Sequence, residues 1–238
     1  MPPPLPVDQG FIRLAVVYVP AHFAMPAATA RQVLSRTRLA DLVTIDPDEM
    51  TPVATPLPLL YRPDEGEFGS FETHVSRANT QWRHTAHPAL VLVRAGDSYV
   101  TPDWYPTYRG GGSAVPTWDY EVVHAYGHLV AHDDPAWIEQ HVRDLSAHFD
   151  PDYDLDRSQR RVVDGLIRGL MGLSIEITSV TGKSKLSQNK PSIDVQGVAD
   201  GLEADGRADL AGRVREVALP HALAKEATVE RARTQRRG

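Results

Sequence analysis

Short apolar segments with a two-residue period fill the first two thirds of this chain, and segments with a helical period crowd toward its end. Residues 39–45, 53–61 and 69–75 read as strands, the second as an edge or bulged strand because Pro56 and Pro58 remove ladder donors. Residues 89–94 and 98–100 read as a hairpin about Ala95-Gly96-Asp97. Residues 121–131 form the longest strand candidate, and 173–180 a further strand stopped by Thr181-Gly182. Helices are expected over 26–36, from Asp133-Asp134-Pro135 to about residue 148, over 156–172, and at 195–204 and 208–217. Strands first and helices late, with no repeats, predict an α+β protein on an antiparallel barrel. Residues 1–15 are expected to be a Pro-rich arm, 16–218 the domain and 219–238 a polar tail.

Composition narrows the functions. Of the 238 residues 42% are hydrophobic, enough for a sizeable core, and the formal net charge is −6. An acidic chain lacks the long-range attraction that nucleic-acid binders use, and its one basic cluster is Arg231, Arg233, Arg236 and Arg237, so direct DNA binding is not expected. With no cysteine, disulfides, thiolate zinc sites and thiol nucleophiles are excluded. The opening residues lack the pattern of a signal peptide and the run at 14–19 is too short to span a bilayer, so a cytoplasmic protein without a membrane partner is expected. Thr181-Gly-Lys-Ser184 is not a phosphate-binding loop, because the required first glycine is Ile177. His124, His128 and His132 fall in a strand, where a spacing of four makes no helical metal face.

Five segments carry more specific information. They are Tyr18-Val-Pro-Ala-His-Phe23, His74-Val-Ser-Arg-Ala-Asn-Thr-Gln-Trp82, Tyr99-Val-Thr-Pro-Asp-Trp-Tyr-Pro106, Val115-Pro-Thr-Trp-Asp-Tyr120 and Gly182-Lys-Ser-Lys-Leu-Ser-Gln-Asn189. In this order, over about residues 18–204, they resemble the PaiB-like family of FMN-binding negative transcriptional regulators. The resemblance implies a split β-barrel with flanking and C-terminal helices, a homodimer, and a planar cofactor shared at the dimer interface. The family's relatives include haem-dependent piperazate synthases, so the resemblance admits haem b or FMN. This chain departs from the pattern at Pro56, where many relatives have histidine, at Tyr108-Arg109, where a lysine is usual, and at Asp119, where an asparagine is usual.

The motif residues then take candidate roles. His74 is the candidate haem-iron ligand, since a neutral imidazole is a good proximal ligand; the alternative is a histidine that satisfies a barrel backbone group. Arg77 suits a propionate or a flavin phosphate, Asn79 and Gln81 the cofactor edge, and Trp82 its face. Trp104, Trp118 and Tyr120 make an aromatic wall, with Lys183 as an anion partner, or else they are core and interface packing. Lys185, Ser187, Gln188 and Asn189, with Tyr105 and Thr117, are the candidate catalytic group for a small amino-acid-like substrate; the plain alternative is a solvated turn. Three functions follow: a haem enzyme of the piperazate synthase type, an FMN-binding negative regulator, or a flavin-dependent oxidoreductase.

Overall fold

The computed structural model describes residues 17–236. Seven strands form one antiparallel sheet: β1 (Leu39–Ile45), β2 (Pro52–Pro58), β3 (Leu60–Arg62), β4 (Ser70–Ser76), β5 (Ala89–Val100), β6 (Thr117–His132) and β7 (Leu170–Lys185). Their order is β2-β1-β5-β6-β7-β4-β3. The two edge strands, β2 and β3, are therefore joined through the single residue Leu59. A connection that short forces the sheet to curl until its edges meet, and Thr73 Oγ1 of β4 donates to the Pro58 carbonyl across the seam at 2.7 Å. The result is a split barrel. Its inner face holds Leu42, Leu57, Phe71, Val91, Val123 and Leu173, and α1 (Ala27–Ser35) plugs it with Ala30 and Leu34.

Two smaller cores flank the barrel. Helix α3 (Pro135–Phe149) starts at Asp134, whose carboxylate accepts the Ala136 amide at 3.0 Å, with Pro135 in the first turn. It packs through Ile138 against Val163 and Ile167 of α4 (Arg160–Arg168). At the other end α5 (Ser192–Ala204), α6 (Ala208–Arg213) and α7 (Leu219–Gln235) gather on Val100, Tyr105 and Leu186. No helix among the described residues is long and apolar enough to cross a membrane.

The structure corrects several expectations. Residues 89–100 are one strand rather than a hairpin: Ala95 is a bulge, and Gly96 resumes the ladder opposite Glu121. The helix expected over 156–172 is the shorter α4, and from Leu170 the chain is already in β7. Strand β7 does not stop at Thr181-Gly182 but continues to Lys185, with Gly182 opposite Val123. Between β5 and β6 lie a 3-10 turn, Pro102–Trp104, and a short helix α2, Pro106–Arg109. Most of the expected polar tail is α7. The expected N-terminal arm, 1–15, lies outside the described residues.

Candidate functional site

Strand alternation sends Phe71, Thr73 and Val75 inward, and so puts Glu72 and His74 on the outer face of β4 beneath α3. Register aligns His74 with Gly172 of β7, and Gly172 with His132 of β6. Over Gly172 lies the Trp137 ring of α3, so close that a Cβ there would sit 2.3 Å from it. Trp137 stacks on His132 at 4.0 Å and on His141 at 5.4 Å between centroids. His141 Nε2 is 3.1 Å from His74 Nδ1, and His132 Nε2 is 2.8 Å from Ser174 Oγ. Arg62 donates to Glu72 at 2.8 and 3.0 Å and also to Asp144. Burial pushes the His74 imidazole down to about 4, so the ring is neutral at neutral pH. A neutral imidazole with one nitrogen bonded to its own protein is suited to hold a metal ion through the other.

A second group forms where β7 ends. Ser187 is left-handed (φ 65°), which turns the chain so that its Oγ donates to Asp119 Oδ2 at 2.8 Å. Lys185 Nζ donates to Thr117 Oγ1 at 2.8 Å and to the Trp118 carbonyl, and it lies 3.7 Å from Asp119 Oδ1. Gln188 closes the turn, accepting the Leu186 amide at 2.7 Å and donating to the Ser184 carbonyl at 2.6 Å. Tyr105 is buried and its hydroxyl has no hydrogen-bond partner among the described residues; burial and the nearby Asp119 and Asp194 push it up to about 12. On the outer face Lys183 and Lys185 stand 5.4 and 5.9 Å from the Tyr120 ring centroid.

Asp119 is fully buried, and burial raises its carboxyl to about 6 against the help of Ser187 and Lys185. Because the folded protein holds this proton more tightly than the unfolded chain, its contribution to stability is present below pH about 4 and is lost as pH rises through about 6. Asp119→Asn is therefore expected to stabilise the protein by about 2 kcal/mol at pH 8, with the difference vanishing below pH about 4. Urea midpoints at the two pH values measure this. A variant less stable than wild type at pH 8 would mean that the Lys185 ion pair outweighs the burial cost.

The two groups lie at opposite ends of strand β7. Gly172, beside His74, and Lys185 are separated by roughly 40 Å of strand β7. Most of the other sequence candidates have structural partners here, and Trp118 and Asn189 are exposed. Arg77 donates to Asp133 at 2.5 Å and to the carbonyls of Arg168 and Leu170 at 3.1 Å. Asn79 caps the 3-10 turn Thr80–Arg83. Gln81 is buried, donating to the carbonyls of Leu42 and Val53 and to Thr44 and accepting from Thr55. Trp82 packs on the barrel core, Trp104 lies against α5, Trp118 is exposed beside Tyr99, and Asn189 is exposed. Sequence reasoning missed Glu72, His132, Trp137 and His141. Glu72 lies two residues before His74, hence on the same face, and Trp137 and His141 are four apart in a capped helix; both spacings are legible once the elements are drawn.

Residues 17–179 match the model of a protein family described as "Putative FMN-binding domain". The chain belongs to this family. Within the PaiB-like group, it is 24% identical over 193 residues to protease synthase and sporulation protein PAI 2 of Bacillus subtilis, covering 79% of this chain and 89% of that protein. Its fold is that of the solved conserved hypothetical protein Rv2991 of Mycobacterium tuberculosis (TM-score 0.52, 15% identity, 73% of this chain and 94% of that one). It also resembles the flavocytochrome Anf3 of Azotobacter vinelandii (TM-score 0.51, 18% identity, 66% of each chain). The turn at 186–189 falls outside the matched residues.

Proposed function

We propose that this member of the FMN-binding domain family is a haem-dependent enzyme of the piperazate synthase type, acting as a homodimer. The observation that carries the reading is His74, a neutral imidazole with its Nδ1 held by His141. The likeness to a flavocytochrome is one of fold. When bound, haem supplies Lewis acidity toward an N–O oxygen. In N5-hydroxyornithine the N–O bond breaks and the N–N bond forms. The attacking amine loses a proton, and the hydroxyl leaves as water, with no net oxidation.

The chain's own residues position and protonate. Lys183 and Lys185 are the cations available to a substrate carboxylate, and Lys185, tied to Asp119 and Thr117, is the group that holds a proton for the leaving oxygen. The separation of His74 from Lys185 along β7 supports a site made from two copies, one protomer giving the imidazole and its partner the lysines. The outer face of β5 and β6 supports the same pairing. Leu90, Leu92, Val122 and Tyr126 are only half-buried there, and His124 Nδ1 is buried without a partner among the described residues.

FMN is the second reading, favoured by the family match and by the paired lysines over Tyr120, which suit a phosphate. Direct DNA binding is not proposed for a chain of net charge −6. An absorption spectrum before and after addition of haem or FMN separates the readings. A Soret band with turnover of N5-hydroxyornithine is the expected result. Uptake of flavin alone would replace the haem enzyme with a flavin-dependent sensor or oxidoreductase.

A further inference from the structure

We propose that His141 is a positioning residue which, together with Glu72, locks His74 in the tautomer whose Nε2 lone pair is free. The inference deepens the reading of His74 as a cofactor ligand and rests on it for its functional meaning. His74 Nδ1 and His141 Nε2 are 3.1 Å apart, so one of the two carries the shared hydrogen. The other nitrogen of His141, Nδ1, is buried without a hydrogen-bond partner among the described residues, and Glu72 Oε2 lies 3.8 Å from it. That is longer than a hydrogen bond, but a carboxylate at this distance inside the protein still decides which nitrogen is protonated. Glu72 is paired as a carboxylate: the Arg62 guanidinium donates to its Oε2 at 2.8 and 3.0 Å.

A hydrogen on His141 Nδ1 faces the carboxylate and leaves Nε2 as an acceptor. His74 must then donate from Nδ1, and its Nε2 is bare. The opposite assignment turns a lone pair of His141 toward Glu72 and puts a hydrogen on His74 Nε2, where it would block a metal ion. Trp137, stacked on His141 and seated on Gly172, keeps the His141 ring from turning away. By accepting the Nδ1 hydrogen, His141 also makes His74 Nε2 a stronger donor to any Lewis acid it meets.

The test is the ring-nitrogen tautomer of His74, read by long-range proton–nitrogen-15 correlation in the cofactor-free full-length protein. Wild type is compared with His141→Phe and Glu72→Gln, and the same samples are then titrated with haem. Wild-type His74 is expected to be protonated on Nδ1 alone. In His141→Phe a population with the hydrogen on Nε2 appears, and haem affinity falls about 10–100-fold. The reduction potential of bound haem rises in both variants. Glu72→Gln keeps the shape and a partner for Arg62, so it decides the matter if His141→Phe does not fold. A wild-type His74 protonated on Nε2, or variants with wild-type tautomer, affinity and potential, would overturn the proposal. Wild type with the expected tautomer but no haem uptake would leave the lock standing and remove the reading of His74 as an iron ligand.

Discussion

His74→Ala is expected to abolish the Soret band of added haem while leaving the protein folded. The side chain is half-buried on the outer face of β4 and its hydrogen bond goes to His141, so truncation removes the proposed ligand without opening the barrel core. Loss of a direct iron ligand exceeds the roughly 10–100-fold that second-shell partners contribute, so affinity should fall by more than about a hundredfold. Far-ultraviolet dichroism and the melting temperature check the fold in the same samples. An unchanged Soret band would assign the iron to another residue. The variant also tests the shared site. Mixing His74→Ala with Lys185→Ala protomers, each inactive alone, should restore part of the activity if one copy supplies the imidazole and the other the lysine.

The largest expected stability effect lies at the opposite end of the molecule. Helix α5 approaches the 102–109 segment through Gly197 and Gly201. A Cβ on Gly197 would sit 2.1 Å from the Trp104 carbonyl oxygen, and one on Gly201 would sit 2.3 Å from the Trp104 ring. A side-chain end can swing away, but a backbone carbonyl can move only with its segment. Gly197→Ala must therefore push Trp104 and Tyr105 off α5. It would also stretch the contacts by which Asp194 accepts the Thr107 amide at 3.0 Å and hydroxyl at 2.6 Å. We expect a loss of about 3 kcal/mol or more, seen as a fall in melting temperature of about 6–12 °C. Tryptophan fluorescence should report a more exposed Trp104. A melting temperature within a degree or two of wild type would show that α5 slides instead.

How far the sequence could be read differed from element to element, for physical reasons. Strands β1 and β4 were legible because one face of each is buried, which imposes the alternation, and α3 was legible because Asp134 and Pro135 mark its start. Strand β5 was misread because Ala95-Gly96-Asp97 has the composition of a turn, whereas the structure uses it as a bulge with the chain still extended. Strand β7 ran past Thr181-Gly182 because Gly182 is needed where Met25 crosses close to the strand, not to end it. Helix α7 looked like a tail because Ala222 is its one fully buried residue, so it carries almost no apolar stripe. Asp119 was noted only as a departure from the family pattern and Ser187 only as a candidate, and nothing in the sequence joined the two. That Asp119 is wholly buried, against Ser187 and Lys185 from far along the chain, is not written locally. The Glu72–His141 partnership joins β4 to α3 across 69 positions, a pairing that no local pattern announces.

Strands β6 and β7 are each sixteen residues long and paired over nearly their whole length, with one irregularity opposite Tyr126 and Gly127. They act as a ruler between the His74 end and the Lys185 end. An insertion or deletion of a single residue in either strand that no bulge absorbs would turn every side chain beyond it to the wrong face. The spacing between the two chemistries is therefore closed to gradual change. Divergence in substrate preference can be written only in what hangs from the ends of the ruler: the 102–116 segment, the turn at 186–191 and the helices that follow.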